Sequence, residues 1–303
     1  MKDLGLLLGT LLAFHLLGCA PANLAAVNSH VALSSKINRD VIYGDDNRLD
    51  LYDVAELETL LIAQSTVALI NSSRVYFSDK SSKAVITGQN FGQRYNLCPE
   101  EPFREQDIAA FCSGFLVTPN TIVTAGHCIR SESDCNRTLF VFDFALDAPS
   151  TRPLETSKEK VYSCKQVVHS QAEVGGADFA VVTLDRPVVD RPPLPMASSS
   201  KTKAATELIV VGHPSGLPTK VASGAQVRED KEGYFVANLD TYQGNSGSAV
   251  FNAKTHEVMG VLVRGETDFT FKGNCRVSRV CENDQCRGED VTKISEVFDY
   301  LPE

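Results

Sequence analysis

The chain has 303 residues, with 29 basic and 38 acidic side chains and a formal net charge of −9. That balance, without any cluster of Lys or Arg, excludes nucleic acid as a main partner, because phosphate binding depends on concentrated positive charge. The 43% apolar content is ordinary for a globular protein and supports two modest domains or one large all-β unit.

In chain order, the first element is an export signal. Lys2 precedes an apolar run, Leu4 to Leu17, broken only by Gly, Thr and His. No other apolar run is long enough to cross a bilayer. The run ends in LLGC at 16–19, which resembles the lipobox of bacterial lipoprotein signal peptides. That resemblance implies cleavage after residue 18 and a lipid on Cys19; the alternative is an ordinary secretory signal with a chance cysteine. Residues 19–40 read as a polar tether or propeptide. From about 41 to 170, short Val-, Ile-, Phe- and Leu-rich runs such as FLVT, TIVTA, LFVFDF and KQVVHS alternate with turn residues and predict strands. FAVVTL, ELIVVGH, YFVANL, SAVF and EVMGVLVR continue the pattern, which predicts a sandwich or a pair of barrels. The last segment, 291–302, is predicted as an amphipathic helix, with Val291, Ile294, Val297, Phe298 and Leu301 on one face.

Beyond Cys19, eight cysteines remain: Cys98, Cys112, Cys128, Cys135, Cys164, Cys275, Cys281 and Cys286. An even number in an exported chain predicts disulfides. Zinc is the competing reading, but no two of these cysteines form a CxxC pair.

Three short motifs carry the chemistry. TAGHC at 124–128 holds His127, GADFAVVTL holds Asp178, and GNSGS at 244–248 holds Ser246. Acyl transfer by serine needs a hydroxyl, an imidazole to take its proton and a carboxylate to orient that imidazole. It also needs backbone N–H groups aimed at the developing oxyanion, for which the glycines around Ser246 allow a tight turn. Asp178 is preferred over Asp185 and Asp190 because it opens an apolar strand. His169, His213 and His256 are expected to make ordinary polar contacts.

These residues resemble the chymotrypsin-like serine proteases. VIYGDDNR at 41–48, GADFAVVTL, VGHPSG at 211–216 and GNSGSAVFN at 244–252 look like the glutamyl-endopeptidase branch. The resemblance implies an all-β protease domain over 41–303. Its parts would be two six-stranded antiparallel β-barrels (about 41–170 and 171–290) and a short C-terminal helix. It also implies a Cys112–Cys128 disulfide closing the histidine loop, an oxyanion hole from Gly244 and Ser246, a peptide substrate, no cofactor or metal, and a monomer. Asn245 replaces the aspartate that in digestive relatives pairs with a freed N-terminal amine, so that activation switch is not expected. Processing just before Val41 would release the catalytic part from a lipid on Cys19.

The resemblance also implies that the pocket for the side chain preceding the scissile bond is formed by Asp240, six residues before Ser246, with Thr241, Val263, Arg264 and Gly265. A carboxylate on its floor, Asp240, would favour Lys or Arg; the alternative is that Asp240 caps a turn. Thr241 matches the glutamyl branch, but neither Leu262 nor Val263 supplies that branch's histidine. Arg264 would either neutralise Asp240 or attract an acidic group. The leading reading is an exported serine endopeptidase; a silent binding lipoprotein on the same scaffold and an esterase are the alternatives. The motif is not the strand–elbow–helix GxSxG of the hydrolases.

Overall fold

The structure, a computed structural model, describes residues 42–149, 154–199, 201–265 and 267–302. The predicted signal over 1–18, Cys19, the segment 19–40 and Val41 lie outside the described residues.

Twelve strands, numbered here β1–β12, build two barrels. The first comprises β1 (Thr66–Asn71), β2 (Ala110–Thr118), β3 (Thr121–Thr124), β4 (Thr138–Val141), β5 (Val161–Ala172) and β6 (Asp178–Leu184). It closes in the order β1-β2-β3-β6-β5-β4, with β4 pairing back onto β1. The second comprises β7 (Glu207–Gly212), β8 (Lys220–Asp230), β9 (Tyr234–Ala237), β10 (Ala249–Asn252), β11 (Val258–Arg264) and β12 (Glu289–Lys293). Its order, β7-β8-β9-β12-β11-β10, repeats the first, and pairing of β7 with β8 closes it. All twelve pairings are antiparallel.

Period-two alternation explains how strands without a polar face serve here. Along β1, Val67 and Leu69 enter one apolar core while Ala68 and Ile70 enter another. Along β7, Ile209 and Val211 join the first of these cores, and Leu208 and Val210 fill the second barrel. Strands buried on both faces read as continuous apolar runs.

Two expected boundaries move. Because β6 pairs with β5 and β3, the first barrel ends at Leu184 rather than near 170. The predicted helix at 291 begins instead as strand β12, and only Ile294–Tyr300 is helical, as a 3₁₀ segment. Val291, Ile294 and Val297 are all fully buried, so their spacing reflects burial across two elements rather than one helical face.

Cys112–Cys128 is bonded as the resemblance implied, and Cys98–Cys275, Cys135–Cys164 and Cys281–Cys286 complete the set. Four disulfides fit an oxidising, extracytoplasmic setting. Among the described residues, no helix is long and apolar enough to cross a membrane.

The strand Arg48–Asp50 adds to the edge of β8. Its Asp50 accepts from Lys220 Nζ at 2.5 Å, and the same nitrogen donates to Gln106 Oε1 and the Pro218 carbonyl at 2.9 and 3.0 Å. Asp50 is 1% and Lys220 2% exposed, so removing either partner strands a buried charge. Asp50→Ala is expected to cost about 3–5 kcal/mol, read as a lower midpoint in guanidinium unfolding. A midpoint unchanged from the parent would show that the N-terminal strand is not held by this pair.

Candidate active site

His127 follows β3 in a turn fastened to β2 by the Cys112–Cys128 bond. Asp178 is the first residue of β6, is 4% exposed, and is clamped through its backbone to Thr292: its N–H donates to Thr292 Oγ1, which donates to the Asp178 carbonyl, at 3.0 and 3.1 Å. His127 Nδ1 donates to Asp178 Oδ2 at 2.9 Å, and the His127 backbone N–H reaches Oδ1 at 3.2 Å. The carboxylate can only accept, so the ring is held as the tautomer whose Nε2 lone pair is open.

Ser246 lies in the turn before β10, held to the first barrel by Ser113. The Ser113 N–H donates to the Ser246 carbonyl at 2.8 Å. The Ser113 hydroxyl donates to the Gly244 carbonyl at 2.9 Å and accepts from the His213 N–H at 2.9 Å. Gly244 and Gly247 adopt φ of +99° and +89°. A side chain at Gly247 would overlap the Ser113 carbonyl, so the turn requires glycine both for its dihedral and for the close approach. The amides of Asn245, Gly247 and Ser248 donate to the carbonyls of Tyr242, Leu262 and Asn245. Asn245 is buried and its Oδ1 accepts from Ser248 Oγ at 3.2 Å. Ser113 went unnoticed in the sequence because a serine after a cysteine in a strand carries no distinguishing signal.

His127, Asp178 and Ser246 share a cavity of about 900 Å³ with Thr241, Val263, Arg264 and Gly265. Asp240 is absent from its lining. It is 5% exposed and turned toward the N-terminal segment, its oxygens accepting from the Tyr43 and Asn47 amides at 2.7 and 3.0 Å. Burial raises its pKa to about 6 against these two hydrogen bonds. Its place in the chain is that of the expected pocket acid, but the amides at 43 and 47 decide where the side chain turns. Arg264 is also committed elsewhere: Nε donates to Asp290 Oδ2 at 3.0 Å, and Nη1 and Nη2 donate to the Glu173 and Gly176 carbonyls at 2.9 and 2.7 Å. It lies 3.8 Å from Asp178 Oδ2 and neutralises the β12 acid rather than Asp240.

Three other acids line the cavity: Glu173, which is exposed, and the buried Asp268 and Glu289. Glu289 is 2% exposed; its Oε2 accepts from Thr241 Oγ1 at 3.2 Å, and its Oε1 has no protein partner. Asp268 accepts the Gln243 N–H with both oxygens, at 3.2 and 3.1 Å. Burial raises Asp268 to about 7 and Glu289 well above the usual carboxylate range. Adjacent acids opening a segment read in sequence as a solvated turn, so nothing marked Glu289 as buried.

Residues 112–261, which contain all three motif residues, match the family model described as a trypsin-like peptidase domain. This stretch is similar to trypsin-like peptidases. In fold the chain is similar to the VesB protease of Vibrio cholerae (15% identity, 84% of this chain and 66% of that one, TM-score 0.48). It is also similar to the active form of the Rv3671c protease from M. tuberculosis (15% identity, 81% and 82% covered, TM-score 0.46). A Glu endopeptidase gives 18% identity, 86% and 98% coverage and a TM-score of 0.47. No curated protein matches the sequence.

Cys112, His127 and Cys128 approach one another as metal ligands would, within 4.8 Å. The two sulfurs are bonded to each other, so neither offers a thiolate.

Glu289 and Asp268 keep their protons to higher pH in the fold than in the unfolded chain. Below about pH 4 both states are neutral and nothing is lost; as pH rises through about 7 for Asp268, and over a raised range for Glu289, the unfolded chain ionises first and stability falls. Glu289→Gln is therefore expected to raise Tm at pH 8 and leave it unchanged at pH 4 in scanning calorimetry. A lower Tm at pH 8 would contradict the burial argument.

Proposed function

We propose that the chain is an exported serine endopeptidase working through a His127/Asp178/Ser246 triad. The observation that carries this reading is the His127 Nδ1–Asp178 Oδ2 bond of 2.9 Å in a cavity that Ser246 also lines. Ser246 Oγ attacks the scissile carbonyl as His127 Nε2 takes its proton, and His127 then returns that proton to the leaving amine. Asp178 holds the imidazole in its tautomer and stabilises the imidazolium. The N–H groups of Gly244 and Ser246 receive the oxyanion; the committed amides at 245, 247 and 248 support this, since they leave the required two. A complete triad favours an enzyme over a silent binding scaffold.

The same reading includes cleavage after basic residues, because the cavity is lined by buried acids, one with an oxygen that no protein donor reaches, and a cationic side chain pairs with them best. It also includes export, with a lipid on Cys19 unless processing near Val41 releases the domain. N-terminal sequencing of cell-bound and released forms tests the last point, and a catalytic domain found only with its Cys19 end would rule release out.

Ser246→Ala is expected to abolish fluorophosphonate labelling and to lower peptide turnover by about a million-fold. Asp178→Asn is expected to lower kcat by about 10⁴-fold with little change in KM. Cleavage sites read by mass spectrometry and single-substrate kinetics measure both. Undiminished turnover in Ser246→Ala would sink the assignment.

A further inference from the structure

A second cavity, of about 210 Å³, adjoins the first at Gln243 and Tyr95, which line both. Gly244 lines the second, whereas Ser246 lines the first. Ala110 and Phe111 form part of its wall, just before Cys112, whose disulfide partner Cys128 follows His127. The second cavity thus begins beside the residue that would return a proton to the leaving amine. A peptide whose scissile carbonyl sits between Ser246 Oγ and the Gly244 N–H straddles the boundary of the two cavities. With the side chain preceding the scissile bond in the first, the residues after that bond fall in the second.

Its charged residues come from the segment that joins β1 to β2, outside the barrel strands. Arg74 and Arg94 both line it, and among the described residues no Asp or Glu does. Elsewhere in the fold arginines are matched with acids: Arg48 with Asp46, Arg191 with Asp143, Arg264 with Asp290. Arg74 and Arg94 have no such partner among the described residues; Arg94 lies 5.8 Å from the Tyr95 ring centroid. A third donor stands on the same wall. Ser215 is 5% exposed, and its Oγ has no hydrogen-bond partner, with the Tyr95 phenol beside it. Its φ of +53° is a conformation that a serine adopts only when its surroundings impose it. Here the Ser215 N–H donates to the Gln243 carbonyl at 2.5 Å, and the Ala109 N–H donates to the Gly216 carbonyl at 2.8 Å. These bonds hold the Ser215 turn against Gln243 and β2.

We propose that this cavity binds a carboxylate on the leaving side of the scissile bond, within the first two residues after it, through Arg74, Arg94 and Ser215. The carboxylate belongs to an Asp or Glu side chain or to a free C-terminus. The inference rests on the endopeptidase reading for its substrate, and it makes the two arginines specificity residues for that reaction. A guanidinium presents a planar fork of donors that fits a carboxylate, and the Ser215 hydroxyl adds one more. Gln has the shape of Glu without its charge, and Lys brings a third positive group. Arg94 is exposed and Arg74 half-buried, so salt screens the attraction.

Matched peptides with Lys before the scissile bond and Glu, Gln or Lys at the first or second residue after it test this on the exported chain. A parallel series ends at the second residue as a free acid or an amide. The carboxylate form is expected to exceed its neutral partner in kcat/KM about tenfold in about 50 mM NaCl, and the gain should shrink in about 500 mM. A gain in the Glu series assigns the cavity to acidic side chains; a gain in the free-acid series alone assigns it to C-termini. An Arg74→Gln/Arg94→Gln double variant should bring the ratio near one, and Arg94→Glu should invert the order of Glu and Lys, which a merely structural role would not do.

Fluorophosphonate labelling reports Ser246 reactivity separately, and anisotropy measures binding of the same peptides to Ser246→Ala protein. Labelling and turnover with a parental ratio near one, or a ratio kept by the double variant, overturn the carboxylate proposal and spare the endopeptidase reading. Tighter binding of the carboxylate peptides, lost with both arginines but accompanied by neither labelling nor turnover of the parent, does the reverse.

Discussion

Strand β2 is the member on which the site depends. Cys112 carries the disulfide that fixes the His127 turn, and the next residue, Ser113, holds the Ser246 turn through its amide and its hydroxyl. The two turns belong to different barrels, so their spacing would otherwise follow how the barrels pack. Routing both through adjacent residues of one strand replaces a soft interface by one covalent bond and two hydrogen bonds. The glycine at 247 is a consequence, because the Ser113 carbonyl occupies the space of its side chain.

A second constraint is electrostatic. Asp178, Asp240, Asp268, Glu289 and Asp290 all lie within the 170–290 region with 8% exposure or less. Each is handled differently. Asp178 receives an imidazole, Asp290 two guanidinium groups, and Asp240 two amides of the N-terminal segment. Glu289 Oε1 and Asp290 Oδ1 have no protein partner, and of the two residues only Glu289 lines the cavity. Buried polar groups in folded proteins are almost always paired, so an open oxygen in a cavity is more informative than several satisfied ones.

The N-terminal segment ties these themes together. Residues 42–50 pair with Val280 and Cys281 on one side and with β8 on the other, and Asp240 accepts two of their amides. An acid expected in the pocket thus anchors the N-terminal segment instead, outside the cavity lining. Asp240, expected in the cavity, is turned away from it, while His127, Asp178 and Ser246 all line it. His127, Asp178 and Ser246 sit in short motifs whose backbone geometry is local, whereas the direction in which an acid such as Asp240 turns depends on the segment packed against it.

The sequence by itself determined the strand-rich architecture, the Cys112–Cys128 pairing through its resemblance to a known family, and the three motifs whose residues His127, Asp178 and Ser246 line one cavity. Those features rest on contiguous patterns: apolar runs between turn residues, and glycines flanking a serine. Tertiary structure alone decided the end of the first barrel, the conversion of the expected helix start at Val291 into strand, the three other disulfides and the acid that faces the cavity. The Cys98–Cys275 bond joins residues 177 apart, and Glu289 meets Thr241 across 48. Such contacts follow from barrel closure, and no local pattern encodes which side chains closure brings together.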